Sequence, residues 1–95
     1  MSGESTTLRV RVEGIVQGVG FRVFAARQAD ELNLKGWARN RTDGAMEALV
    51  RGEVKDVERF VQACMKGPEG AKVTNIDLIA DTFTGGDGFV VLPDA

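Results

Sequence analysis

Leu8-Arg9-Val10-Arg11-Val12-Glu13-Gly14-Ile15-Val16-Gln17-Gly18-Val19-Gly20-Phe21-Arg22 begins with the pattern of a strand and ends with that of a helix. Leu8, Val10 and Val12 alternate with Arg9, Arg11 and Glu13, the period of a half-buried strand. Phe21, Ala25, Ala29 and Leu32 then recur at helical spacing, which predicts a helix from Arg22 to about Leu34. The join, Gln17 to Arg22, carries two glycines that let successive backbone N–H groups curl toward one point. A helix N-terminus adds unpaired N–H groups and partial positive charge, and Arg22 adds a planar fork of donors. Such a join predicts an anion site fitted to a compact phosphoryl group. The glycines alone would also suit a tight turn with no ligand. The dinucleotide fingerprint fails because Val23 stands where its last small residue belongs, and no Gly-Lys-Ser/Thr run exists for a nucleotide P-loop.

The next elements follow from the same periods. Trp37 to about Thr42 reads as a second strand, Thr42-Asp43-Gly44 as a hairpin turn, and Ala45 to Arg51 as a third strand. Val54, Val57, Phe60, Val61, Cys64 and Met65 mark an amphipathic helix that Gly67-Pro68 ends. Val73 to Ala80 reads as a strand with Ile76, Leu78 and Ala80 on one face, and Phe89 to Leu92 as a short last strand. The order β-α-β-β-α-β plus one strand fits an α+β, ferredoxin-like sandwich: an antiparallel sheet with two helices on one face and a short extra C-terminal strand. Residues 1–7 are expected to be a disordered tail before a single domain over 8–95. In this topology the first two strands are parallel, so the glycine loop and Asn40 should meet at one end of the sheet. Asn40 would point toward the helices, where an amide needs a partner. It could serve a ligand or only satisfy backbone near the turn.

Composition excludes several function classes. Net charge is −2, against the clustered positive charge that nucleic-acid binding needs. Arg39 and Arg41 share the face of Trp37 as a solvated edge, which Arg9 and Arg11 could join to make a weak basic patch. RNA recognition would want aromatics on the central strands, and the chain has no tyrosine. No apolar run is long enough to cross a membrane. Histidine is absent and the only serines are Ser2 and Ser5, so Ser-His-Asp and Cys-His mechanisms lack their parts. Cys64 is alone, which suits a reducing cytoplasm, and its place on the apolar stripe makes it a core residue.

Gly14-Ile15-Val16-Gln17-Gly18-Val19-Gly20-Phe21-Arg22, then Gly36-Trp37-Ala38-Arg39-Asn40 and Asp43-Gly44, resemble an acylphosphatase. The likeness runs on through Gly67-Pro68 and Ala71-Lys72-Val73 to Phe89. It implies the same sandwich and an enzyme that hydrolyses the carboxyl–phosphate bond of acyl phosphates without metal, cofactor or covalent intermediate. By that resemblance Arg22 binds the phosphoryl group, backbone amides of Gln17, Gly18, Val19, Gly20, Phe21 and Arg22 cradle it, and Asn40 positions the attacking water. It also implies a small acyl phosphate as substrate, inorganic phosphate as product and competitive inhibitor, and no nucleic-acid or membrane partner. A stand-alone, monomeric form is expected. The chain departs from the family pattern at Ile15, where a basic residue is common, at Ala25, where threonine is common, and in a C-terminal tail that lacks a basic or aromatic ending. The rival reading is a non-catalytic module that binds phosphate or an acyl or carbamoyl phosphate.

Overall fold

A computed structural model describes residues 4–94. Five strands and two helices follow in the order β1 (Ser5–Ile15), α1 (Phe21–Glu31), β2 (Lys35–Asn40), β3 (Met46–Glu53), α2 (Val54–Lys66), β4 (Lys72–Ala80) and β5 (Phe89–Val91). They form one sheet ordered β4-β1-β3-β2-β5. β3 lies antiparallel between β1 and β2, so those two are parallel to each other and α1 crosses from one to the other. β5 pairs parallel with β2 through Gly36–Phe89, Trp37–Val90 and Ala38–Val91. β1 to β4 form the expected antiparallel sheet, and the extra C-terminal strand β5 adds a parallel pair at its edge, which makes the whole sheet mixed. The chain returns from β4 to the far edge of the sheet, and that crossing sets the direction of β5.

Both helices pack on the same face. Val10, Val12, Ala38, Met46, Ala48 and Val50 supply the sheet side of the core; Phe21, Ala25, Ala29, Val57, Phe60 and Cys64 supply the helix side. Ala38 and Ala48 are small because a helix lies against them. Phe60 is fully buried and meets Phe89 with ring centroids 5.9 Å apart. Burying such a side chain stabilises the fold by roughly 1.5–3 kcal/mol. Val57, Phe60, Val61 and Cys64 are buried as the stripe predicts, but Val54 is 39% and Met65 56% exposed. Both lie in the end turns of α2.

Several boundaries move for identifiable reasons. β1 begins at Ser5, inside the expected tail, because β3 runs on to Glu53 and offers partners for Ser5, Thr6 and Thr7. The rest of that tail, residues 1–3, lies outside the described residues. α1 stops at Glu31 because Asn33 turns left-handed (φ 57°) and the Leu34 N–H closes back on Ala29 O at 2.8 Å. Leu78 is 47% exposed: β4 is an edge strand whose far side has no neighbour.

The sheet face away from the helices is also covered. Trp37 is mostly buried there; its indole N–H donates to Thr84 O at 2.9 Å and the Arg39 guanidinium stacks 4.9 Å from its ring. The four arginines do not form a basic patch. Glu47, almost fully buried, lies within 3.2 Å of Arg9, 3.1 Å of Arg39 and 3.4 Å of Arg41, and Arg9 also binds Asp81. Arg11 pairs with Glu13 and Asp43. Cross-strand register sets these neutralising pairs, which composition cannot show.

Candidate active site

The strand–loop–helix join and the end of β2 meet at one cavity. Its volume is about 200 Å³, and Val16, Gly18, Gly20, Phe21, Arg22, Val23, Asn40 and Val91 line it. The arrangement follows from topology. β1 and β2 point the same way, so the loop leaving β1 and the last residue of β2 share an edge of the sheet.

The loop has the shape an anion needs. Gly18 and Gly20 both sit in the left-handed region, at φ 77° and 76°. Gly20 caps α1 without a side-chain bond, and its carbonyl accepts the Phe24 N–H at 3.0 Å. Among the described residues no backbone or side-chain acceptor takes the N–H of Gln17, Gly18, Val19 or Gly20. The first-turn N–H groups of α1 lack intrahelical partners by geometry. Of these residues Gly18, Gly20, Phe21 and Arg22 line the cavity, and no acidic residue lies in the first turn of α1.

Asn40 is 7% exposed, and its Oδ1 is buried with no hydrogen-bond partner among the described residues. The capping alternative would have given that oxygen a backbone donor, and none is there. A buried, unpaired amide oxygen is costly and is kept where a ligand or water completes it. Alternation along β2 turns Asn40 to the helix side with Ala38 and away from Trp37 and Arg39.

Two contacts at the site were not legible in the sequence. The Gln17 side chain, not only its backbone, has work there: Nε2 donates to Arg41 O at 2.8 Å and Ala45 O at 3.0 Å. It ties the glycine loop to the hairpin that follows Asn40. The partners are 24 and 28 residues away, beyond any local pattern. Arg22 is held from the other end of the chain, with Nη1 donating to Leu92 O at 2.8 Å and lying 3.0 Å from Asp94 Oδ1. The departures at Ile15 and Ala25 leave the cavity intact: Ile15 is exposed at the end of β1, and Ala25 is buried under α1. Of the tail, Ala95 lies outside the described residues.

Other reactive groups stand apart. Cys64 is in the core, where burial pushes its thiol up to about 12. Among the described residues no three carboxylate or thiol side chains gather as a metal site would. No helix among the described residues is long and apolar enough to cross a membrane.

Fold and cavity together define a small α+β sandwich in which a glycine loop faces the end of a parallel strand across a small cavity. A family model for acylphosphatase matches residues 8–91. An acylphosphatase from Rhodopseudomonas palustris (strain BisB18) is 49% identical over 74 residues, 77% of this chain and 75% of its own. The crystal structure of acylphosphatase from Bacillus subtilis superposes with a TM-score of 0.86 at 37% identity, covering 94% of this chain and 99% of that one. Full-length HypF in its phosphate- and nucleotide-bound form matches with a TM-score of 0.88 at 27% identity, covering 99% of this chain and 13% of that one. The chain belongs to the acylphosphatase family.

Proposed function

We propose that the chain is an acylphosphatase that hydrolyses the carboxyl–phosphate bond of acyl phosphates to a carboxylate and inorganic phosphate. The observation that carries this reading is that Arg22, Gly18 and Gly20 of the loop, and Asn40, whose Oδ1 lacks a partner among the described residues, line one small cavity. Family membership supports it.

The chemistry asks little of acid–base groups. A carboxylate leaves readily without a strong acid. Phosphoryl transfer runs through a loose transition state with charge spread over the phosphoryl oxygens, so positioning and charge stabilisation dominate. Arg22 and the loop amides hold those oxygens. Asn40 orients a water, accepting its hydrogen at Oδ1. The water oxygen attacks phosphorus, the bond to the acyl oxygen breaks, and the carboxylate departs with the electron pair. The water proton passes to a phosphoryl oxygen, because an amide is too weak a base to keep it. Inorganic phosphate, the product, fits the same cradle and acts as a competitive inhibitor. The reading needs no cofactor, and a cytoplasmic monomer is its simplest form.

The test is hydrolysis of benzoyl phosphate in EDTA by the wild-type chain and by Arg22→Lys. Rapid wild-type turnover is expected. Lysine keeps the charge but loses the planar fork, so KM should rise and kcat should fall. A wild-type chain that binds phosphate without turning over would establish the binding-module reading instead.

A further inference from the structure

The chain supplies Arg22 with an anion of its own. Leu92 O and the Asp94 carboxylate both engage Nη1, at 2.8 and 3.0 Å. The tail is fixed in this position by β5, which pairs with β2, and by the Leu92 N–H, which donates to Ala38 O at 2.8 Å. Pro93 then restricts the path to Asp94. The two contacts differ in kind. A backbone carbonyl orients the guanidinium without adding net charge. A carboxylate places a full negative charge beside the group that would receive a phosphoryl dianion. The Asp94 side chain is 67% exposed against 30% for Arg22, so the carboxylate lies on the solvent side of the guanidinium.

We propose that Asp94 is a specificity-determining residue whose carboxylate weakens phosphoryl binding at Arg22 and selects against acyl phosphates with a second negative charge on the acyl half. The proposal rests on the reading of Arg22 as the phosphate-binding residue. A phosphoryl group either displaces Asp94 or binds through the remaining Nε and Nη2 donors beside it. Both routes lower affinity, by lost ion pairing in one and like-charge repulsion in the other. Asp94 is not among the residues lining the cavity, but its carboxylate lies 3.0 Å from the Nη1 of Arg22, which does line it, so its charge acts on whatever Arg22 holds there. Neutral acyl groups pass this charge freely, and a carboxylate-bearing acyl group is repelled. The contact is exposed, so the effect is modest and falls with salt.

The test compares wild type with Asp94→Asn, an exposed substitution that preserves side-chain shape. Calorimetric titration with inorganic phosphate at low ionic strength should show about three- to fivefold tighter binding in the variant, the size expected for one exposed ion pair, with the difference closing near about 0.5 M salt. In turnover assays the change should fall on KM, and the preference for acetyl phosphate over succinyl phosphate should narrow by a similar factor. Phosphate bound by the wild-type chain but no more tightly by Asp94→Asn, or an unchanged preference, would overturn the role of Asp94 and leave that of Arg22 standing. Failure of both chains to bind phosphate would overturn both.

Discussion

Replacing Asn40 with alanine should cripple turnover while leaving the fold about as stable as before. The wild-type side chain is buried, and its Oδ1 has no partner among the described residues. An amide oxygen with no partner at all would cost roughly 1–3 kcal/mol, but a water at Oδ1 offsets most of that, so alanine recovers little of it. The three heavy atoms lost also take with them van der Waals contacts worth about 0.1–0.2 kcal/mol apiece. The two effects oppose each other, and stability should stay within about 1 kcal/mol of wild type. In a domain of this size each kcal/mol moves the melting temperature by about 4–8 °C. Urea unfolding followed by Trp37 fluorescence measures it, since Trp37 is mostly buried and bonded to Thr84 O. Turnover should fall by about 100-fold or more, the loss expected when one preorganised polar group is removed from a charge-stabilising site. Phosphate affinity should stay close to wild type, because Arg22 and the loop amides remain. A variant destabilised by about 2 kcal/mol or more would show that the amide is a structural tie, completed in solution by a partner inside the protein. Near-native turnover would refute the water-positioning role outright.

Gln17→Leu should lower stability by roughly 1–3 kcal/mol, the sum of two side-chain hydrogen bonds, and should also lower kcat, since Nε2 joins the glycine loop to Arg41 O and Ala45 O just past Asn40; unchanged kcat in a folded variant would sink the positioning role. The Cys64 thiol is pushed to about 12 by burial and should not react with an aromatic disulfide reagent at pH 8 until the chain is unfolded. Acid should weaken the fold through Asp43, held below the usual carboxylate range first by Arg11 and then by the Ala45 N–H, and through Asp81, held low by the Thr82 N–H and Arg9. Both carboxyls bind protons less readily folded than unfolded, so their contribution is complete above their ordinary range and disappears as pH falls through the lowered folded values. Asp43→Asn should flatten that acid limb in a series of urea midpoints, and an unchanged limb would show the pair with Arg11 to be inert.

The sequence by itself determined the elements and most of the candidate site. The alternation of Leu8, Val10 and Val12, the stripe of Val57, Phe60, Val61 and Cys64, and the Asp43-Gly44 turn are local patterns that the backbone must satisfy wherever the chain folds. The split βαβ order then put Asn40 beside the glycine loop, because parallel strands end on the same edge of a sheet. Tertiary structure decided what depends on partners distant in the chain. The direction of β5 came from a crossing to the far edge, and the start of β1 at Ser5 came from the length of β3. Burial of Glu47 among three arginines turned an apparent basic face into a neutralised one. The tie from Gln17 to the hairpin and the grip of Leu92 and Asp94 on Arg22 span 24 to 72 residues of chain. A side-chain hydrogen bond leaves no periodicity in the sequence, since its partner is fixed by where the fold brings the chain back and not by spacing along it.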